Sequence, residues 1–288
     1  MRGTLLGVLV VLFVIVAPVA HAQPPCSIQT VTGTYAVQTT GWSASGSVND
    51  LLGYGPVYDL VGGSAVLVGQ ATIAANGTYK GTYWGVYVAA PIPTTEFTGQ
   101  ISINPDCTGE SSDLGGIDEL VVLDNGKEIR AITKTAFGTI ISTWYRMTPA
   151  NGQGPSCGQQ TFSGTYMERC EGYSLVAGDP PGVATSNVLM VYSARNGSLT
   201  GTYKGKVFGF PEQWRESGLS ATYTVNPDCS IEKVYAFGFL PPGLTVKAHG
   251  VLFDEGKQGV GLPMGIYAGD TLAMPVGPLT CKSTRLGK

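Results

Sequence analysis

The chain has 288 residues, with 17 Lys and Arg against 20 Asp and Glu, a formal net charge of −3. So weak a field argues against nucleic acid or an anionic membrane surface as a partner. Charged residues make up only 13%, and 41 glycines together with frequent Tyr, Thr and Val suit short strands and turns rather than helices or disorder.

Residues 1–22 open with Met1-Arg2-Gly3, run apolar from Leu5 to Val19 and end in Ala20-His21-Ala22. A basic start, an apolar middle and a small-x-small end read as a secretory signal peptide cleaved after Ala22. The apolar run is shorter than the roughly 20 residues a spanning helix needs, and Pro18 interrupts it. The expected location is secreted or periplasmic, with no stable membrane insertion after cleavage.

Residues 23–32 lead into a strand over 33–40. Residues 41–63 are rich in Gly, Ser and Asp and carry Trp42, Tyr54 and Tyr58. They read as a long loop with a short turn of helix near Leu51. A strand over 64–74 turns at Asn76-Gly77, a pair that accepts the positive φ of a tight hairpin, and returns over 79–88 with Trp84. A loop over 89–95, holding Pro91 and Pro93, leads to a strand over 97–103. That strand ends at Asn104-Pro105-Asp106-Cys107. Strands over 119–123 and 128–133 form a hairpin around Asn125-Gly126, and 138–147 is the last strand before a linker over 148–156.

The same order returns. Gly33-Thr34-Tyr35 matches Gly164-Thr165-Tyr166, and Asn76-Gly77 with Gly81-Thr82-Tyr83 matches Asn196-Gly197 with Gly201-Thr202-Tyr203. Asn104-Pro105-Asp106-Cys107 matches Asn226-Pro227-Asp228-Cys229, and 121–127 matches 251–257. The offsets are 131, 120, 122 and 130 residues, so order is kept while loops drift in length. The second half has its own loops, one over 172–186 with Tyr173 and one over 210–218 with Trp214. From Gly259 to Met274 its strand signal weakens. The expected division is a leader at 1–22, a first unit at 23–150 and a second at 151–288.

Each unit offers seven or eight short strands and no stretch at helical period. Such a meander closes most simply as an up-and-down barrel, which leaves no sheet edge. The expected fold is all-β, two tandem small antiparallel up-and-down β-barrels, with β-sandwiches as the alternative.

Six cysteines, Cys26, Cys107, Cys157, Cys170, Cys229 and Cys281, all follow the leader. An even count in an exported chain favours disulfides. The repeat suggests Cys26–Cys107 and Cys157–Cys229, which leaves Cys170–Cys281. No two cysteines have zinc-finger spacing and only His249 follows the leader, so no metal and no cofactor is expected.

Chemistry is sparse. Asn-Pro-Asp is a turn sequence, which accounts for Asp106 and Asp228 without a catalytic role. One histidine and no G-x-S-x-G give a Ser-His-Asp site little to stand on, and His249 reads as a strand-end surface residue. Asp118 and Glu119 face opposite sides of a strand and read as hairpin solubility, while Glu128 and Arg130 share a face and suit an ion pair. Asn76-Gly77-Thr78 and Asn196-Gly197-Ser198 fit the glycosylation pattern, but the hairpin turns explain them. The aromatics Trp42, Tyr54, Tyr58, Trp84, Tyr173 and Trp214 lie in or beside the long loops. They are the candidate ligand-binding residues at the barrel mouths, the competing reading being that they cap the cores.

The series G-T-Y, then N-G-x-x-x-G-T-Y, then N-P-D-C-[ST] resembles that of a loose group of exported bacterial proteins, similar to lipocalin-like or allene-oxide-cyclase-like β-barrels. The resemblance covers nearly the whole chain after the leader, twice, and carries over no functional residue. The predicted barrels, the aromatic loops and the lack of a catalytic constellation point instead to a binding module for a small apolar or aromatic ligand. Two alternatives stay open: a cyclase- or isomerase-type barrel enzyme acting by positioning, and a structural cell-envelope protein.

Overall fold

The computed structural model describes residues 25–43, 63–87, 90–113, 116–135, 138–147, 156–176, 182–207, 210–274 and 276–287. The expected leader, the residues around Leu51 and most of the linker lie outside them.

A single turn of helix, α1 (Ile28–Val31), precedes eight strands: β1 (Gly33–Ser43), β2 (Gly63–Ile73), β3 (Thr78–Tyr87), β4 (Ala90–Ile103), β5 (Thr108–Asp113), β6 (Gly116–Leu123), β7 (Glu128–Thr135) and β8 (Gly138–Arg146). Each pairs antiparallel with the next, and β8 returns to β1, so the sheet closes on itself. The second set is β9 (Gly164–Val176), β10 (Gly182–Arg195), β11 (Ser198–Val207), β12 (Phe210–Val225), β13 (Ser230–Phe237), β14 (Leu244–Phe253), β15 (Gln258–Ala268), β16 (Thr271–Met274) and β17 (Leu279–Leu286). Here β14 pairs with β15, β15 with β17 and β17 with β9, which closes a second ring and leaves β16 on its outside. Two tandem closed barrels are thus the architecture, and the sandwich alternative falls.

The expected disulfides are all present: Cys26–Cys107, Cys157–Cys229 and Cys170–Cys281. Each Asn-Pro-Asp turn is held the same way. The Asp106 carboxylate accepts the Thr108 amide and hydroxyl, and that of Asp228 accepts the Ser230 amide and hydroxyl. The following cysteine takes a positive φ, 67° at Cys107 and 68° at Cys229, and so turns its sulfur back toward the segment that precedes the barrel. The Cys26 and Cys157 amides complete the tie by donating to the carbonyls of Pro105 and Pro227.

The near ends of the barrels are also closed alike. The Tyr35 hydroxyl donates to the Gly126 carbonyl at 2.8 Å, and the Tyr166 hydroxyl donates to that of Gly256 at 2.7 Å. Gly126 and Gly256 have φ of 79° and 77°. A Cβ there would sit 2.0 Å from the Thr30 carbonyl oxygen or 2.2 Å from that of Thr161, so only glycine lets the turn reach the lead-in segment. Val31 and Phe162, both fully buried, plug the two interiors from that end.

Several local expectations change. The predicted loops over 89–95 and 210–218 are the first halves of β4 and β12. Pro91 and Pro93 lie on the half of β4 that β5 does not reach, since β5 pairs with β4 only from Gln100 onward, so their missing amides take nothing from β5. β5 is the strand that follows the first Asn-Pro-Asp turn. His249 does not end a strand at the surface: it lies within β14 and stacks on Trp84 of the first barrel, ring centroids 5.6 Å apart. The weak strand signal after Gly259 also has a cause. β15 runs between the first barrel and the interior of the second, is buried along most of its length and shows no polar alternation.

The barrels share a buried interface. The outer faces of β1, β2 and β3 lie against β14 and β15. Ala36, Val66, Val68, Val86 and Met147 of the first barrel belong to one apolar cluster with the core of the second. Tyr145 stacks on Phe253 at 4.8 Å, and Lys282 sits 4.6 Å from the Tyr145 ring centroid.

Candidate functional site

Alternation along the strands sorts each barrel into inward and outward residues. In the first barrel Tyr35, Ile73, Tyr79, Ile101, Leu120, Val122, Ile129, Ala131 and Trp144 pack together and fill the end closed by α1. Tyr79 meets Trp144 edge-on at 5.4 Å, and Tyr35 meets it at 6.2 Å. Beyond Trp144 the inward side chains become smaller and more polar, and a cavity of about 270 Å³ opens. Val37, Thr39, Leu67, Tyr83, Thr95, Phe97, Asp118, Thr133, Ile140 and Ser142 line it together with Trp144.

Asp118 is the acidic group of this interior. Its neighbours across β6 are Ser111 on β5 and Thr133 on β7, in direct register. Ser111 donates to one carboxylate oxygen at 2.8 Å, and Thr133 donates to the other. All three side chains are buried. Hydroxyl donors satisfy part of a carboxylate's acceptor capacity and none of its charge. No Lys, Arg or His lies among the cavity's described lining residues. The same lining carries three aromatic rings, Tyr83 and Phe97 with centroids 5.8 Å apart, and Trp144.

The second barrel is built on the same register, and among its described residues the interior is filled. Glu168, Tyr192, Lys233 and Tyr235 form a buried network in its core. Glu168 accepts from the Lys233 ammonium at 2.5 Å, from the Tyr192 hydroxyl at 2.6 Å and from the Tyr235 hydroxyl at 3.2 Å. The Lys233 ammonium also lies 5.1 Å from the Phe162 ring centroid. Burial, and then the Glu168 charge, hold both tyrosine hydroxyls well above the ordinary phenol pKa. The void beside this network measures about 30 Å³, room for a water but not for an organic ligand. Glu168, Cys170 and Cys281 converge as three metal ligands might, but both sulfurs are in a disulfide and offer no thiolate.

The two interiors differ at matching positions. Thr39 stands four residues after Tyr35 and faces Ser142 across β1 and β8, their hydroxyls 2.9 Å apart. Cys170 stands four residues after Tyr166 and faces Cys281 across β9 and β17. A hydrogen-bonded hydroxyl pair on the cavity wall thus corresponds to a disulfide in the filled core.

Of the six candidate aromatics, Trp42, Tyr173 and Trp214 lie on β1, β9 and β12, and their side chains are outside the described residues, as are Tyr54 and Tyr58 altogether. Trp84 does not open into the cavity. It leaves the outer face of β3 and stacks on His249, so it belongs to the contact between barrels. Asp118 was misread: it sits inside the barrel and Glu119 outside, so the opposite-face reading holds and the solubility role does not extend to Asp118. The signal was present, since Asp118, Leu120 and Val122 share one strand face. The Glu128–Arg130 ion pair is formed, at 2.6 Å.

No protein-family model matches this chain, and no curated protein matches it. Among solved structures it is similar to the isotype 1 transferrin binding protein B of serogroup B Neisseria meningitidis, with 11% identity and a TM-score of 0.33, over 77% of this chain and 53% of that one. It is also similar to a protein of unknown function from the DUF3598 family of Nostoc punctiforme PCC 73102, with 9% identity and a TM-score of 0.29, over 90% of this chain and 97% of that one. The chain spans about half the length of the first of these, and neither likeness bears on ligand or activity.

Proposed function

We propose that this is an exported small-molecule-binding protein built from a duplicated barrel, in which the first barrel holds the ligand and the second is its filled structural partner. The observation that carries the reading is the cavity of about 270 Å³ in one barrel against about 30 Å³ in the other. A compact apolar wall with a few converging polar groups is the usual form of a small-ligand site. The volume sets the size class, below that of drug-sized pockets. Export to a secreted or periplasmic location agrees with six cysteines that are all paired.

The test is saturation-transfer NMR with a set of small aromatic and aliphatic compounds on the full chain and on Ser142→Leu, which fills the cavity from its wall. Binders of the native chain that are lost in the variant support the reading. Compounds that bind both proteins alike would place the site elsewhere and end it. A second reading, a barrel enzyme acting by positioning, is favoured by the same buried carboxylate. It predicts that a bound compound is converted, which the same NMR samples followed over hours would register.

A further inference from the structure

We infer that the ligand of the first barrel is a small organic ammonium ion, held between the Asp118 carboxylate and the aromatic wall of Tyr83, Phe97 and Trp144. The inference rests on the binding reading above and names the chemistry of that site.

The charge count of the cavity comes first. Its described lining carries two acidic side chains, the buried Asp118 and the exposed Glu96, and no basic one. The second barrel shows how this fold settles a buried carboxylate with its own residues. Glu168 receives an ammonium from Lys233 and two phenol hydroxyls. The position that Lys233 occupies on β13, three residues after Ser230, is taken on β5 by Ser111, three residues after Thr108. Ser111 gives Asp118 a hydrogen bond and no charge. The first barrel therefore has neither member of that pair at the matching positions, Val37 standing two residues after Tyr35 where Glu168 stands two after Tyr166; its carboxylate comes from β6 instead, with no cation and with a space beside it. A buried carboxylate is expensive unless a positive charge or a proton meets it.

The aromatic lining suits a cation as well. Aromatic faces attract cations through the ring quadrupole, and the attraction grows as water is excluded. Around Lys233 the protein uses that arrangement itself, with the ammonium 5.1 Å from Phe162, 5.6 Å from Tyr192 and 5.9 Å from Tyr235. In the cavity the rings stand ready and the cation has no protein source among the described lining residues. An anionic ligand would meet Asp118 with like charge. A neutral ligand would leave the carboxylate uncompensated.

Isothermal titration of the full chain with phenethylammonium, 2-phenylethanol and phenylacetate tests this, because the three share one aromatic body and differ in head group. Phenethylammonium should bind at least about tenfold more tightly than 2-phenylethanol, and phenylacetate should not bind. Asp118→Asn, close to isosteric, should bring the ammonium and the alcohol to within about threefold of each other. Phe97→Leu should weaken the ammonium more than the alcohol, and it decides the matter if Asp118→Asn does not fold. Equal binding of the ammonium and the alcohol, or an Asp118→Asn variant that still prefers the ammonium, overturns the inference and leaves the cavity as a binding site. No binding by any of the three, with no binder found in the NMR set either, overturns both.

Discussion

Asp118 and Glu168 both occupy inward positions on strands whose other inward residues are apolar, but on strands that do not correspond in the repeat, β6 and β9. Glu168 has a buried ammonium partner and Asp118 has hydroxyls. Parity alone makes these positions legible, since Asp118 falls in step with Leu120 and Val122, Glu168 with Tyr166 and Cys170, and Lys233 with Ile231 and Tyr235. Partners are less legible, because β9 and β13 meet across the barrel interior and nothing local in the chain links residues 65 positions apart. Lys233→Met would leave Glu168 buried with only the tyrosine donors. Removing one partner of a buried pair costs about 3–5 kcal/mol, so denaturant unfolding should show a loss of that order. An unchanged midpoint would mean that Glu168 and Lys233 do not meet in the core.

At the level of strands and turns, the chain is most readable where geometry demands a particular residue. Asn-Gly and Asn-Pro-Asp-Cys mark tight turns, and at Gly126 and Gly256 a Cβ would collide with the lead-in segment. The repeat of those turns was enough to assign all three disulfides. Strands were misread where an edge relaxes the usual rules, as at Pro91 and Pro93 on the overhanging half of β4. The matched positions of Thr39–Ser142 and Cys170–Cys281 give a prediction for a pair of elements. Thr39→Cys with Ser142→Cys should form a disulfide between β1 and β8, leave no titratable thiol and raise stability by up to about 4 kcal/mol on the chain-entropy model. Both residues line the cavity, so the same variant should lose ligand binding. Two free thiols under oxidising conditions would show that the first barrel's strands do not follow the second barrel's register.

For the molecule as a whole, the division into two units was visible in the sequence and the surface joining them was not. Strands buried on both sides lose polar alternation, so β15 looked weak when it was central. Trp84 looked like a ligand residue because a large ring near a loop is ambiguous without its partner. That partner, His249, has its pKa lowered chiefly by burial, with the Glu232 charge opposing the shift. A lowered imidazole pKa means that the unfolded chain binds the proton more readily. Stability contributed here is present above the ordinary histidine pKa of about 6.5 and is lost as pH falls below it. The native chain should therefore lose thermal stability between pH 7 and 5 relative to His249→Phe, which keeps the stack on Trp84. Parallel pH profiles would remove His249 from the interface. The contrast between a hollow first barrel and a second that is full along its described residues decides the binding reading. Its most direct test is a crystal structure of the full chain purified from its host without denaturation. The expected result is non-protein density beside Asp118 in the first barrel and none inside the second. A first barrel packed solid with the chain's own side chains, or a ligand lodged beside Lys233 instead, would contradict it.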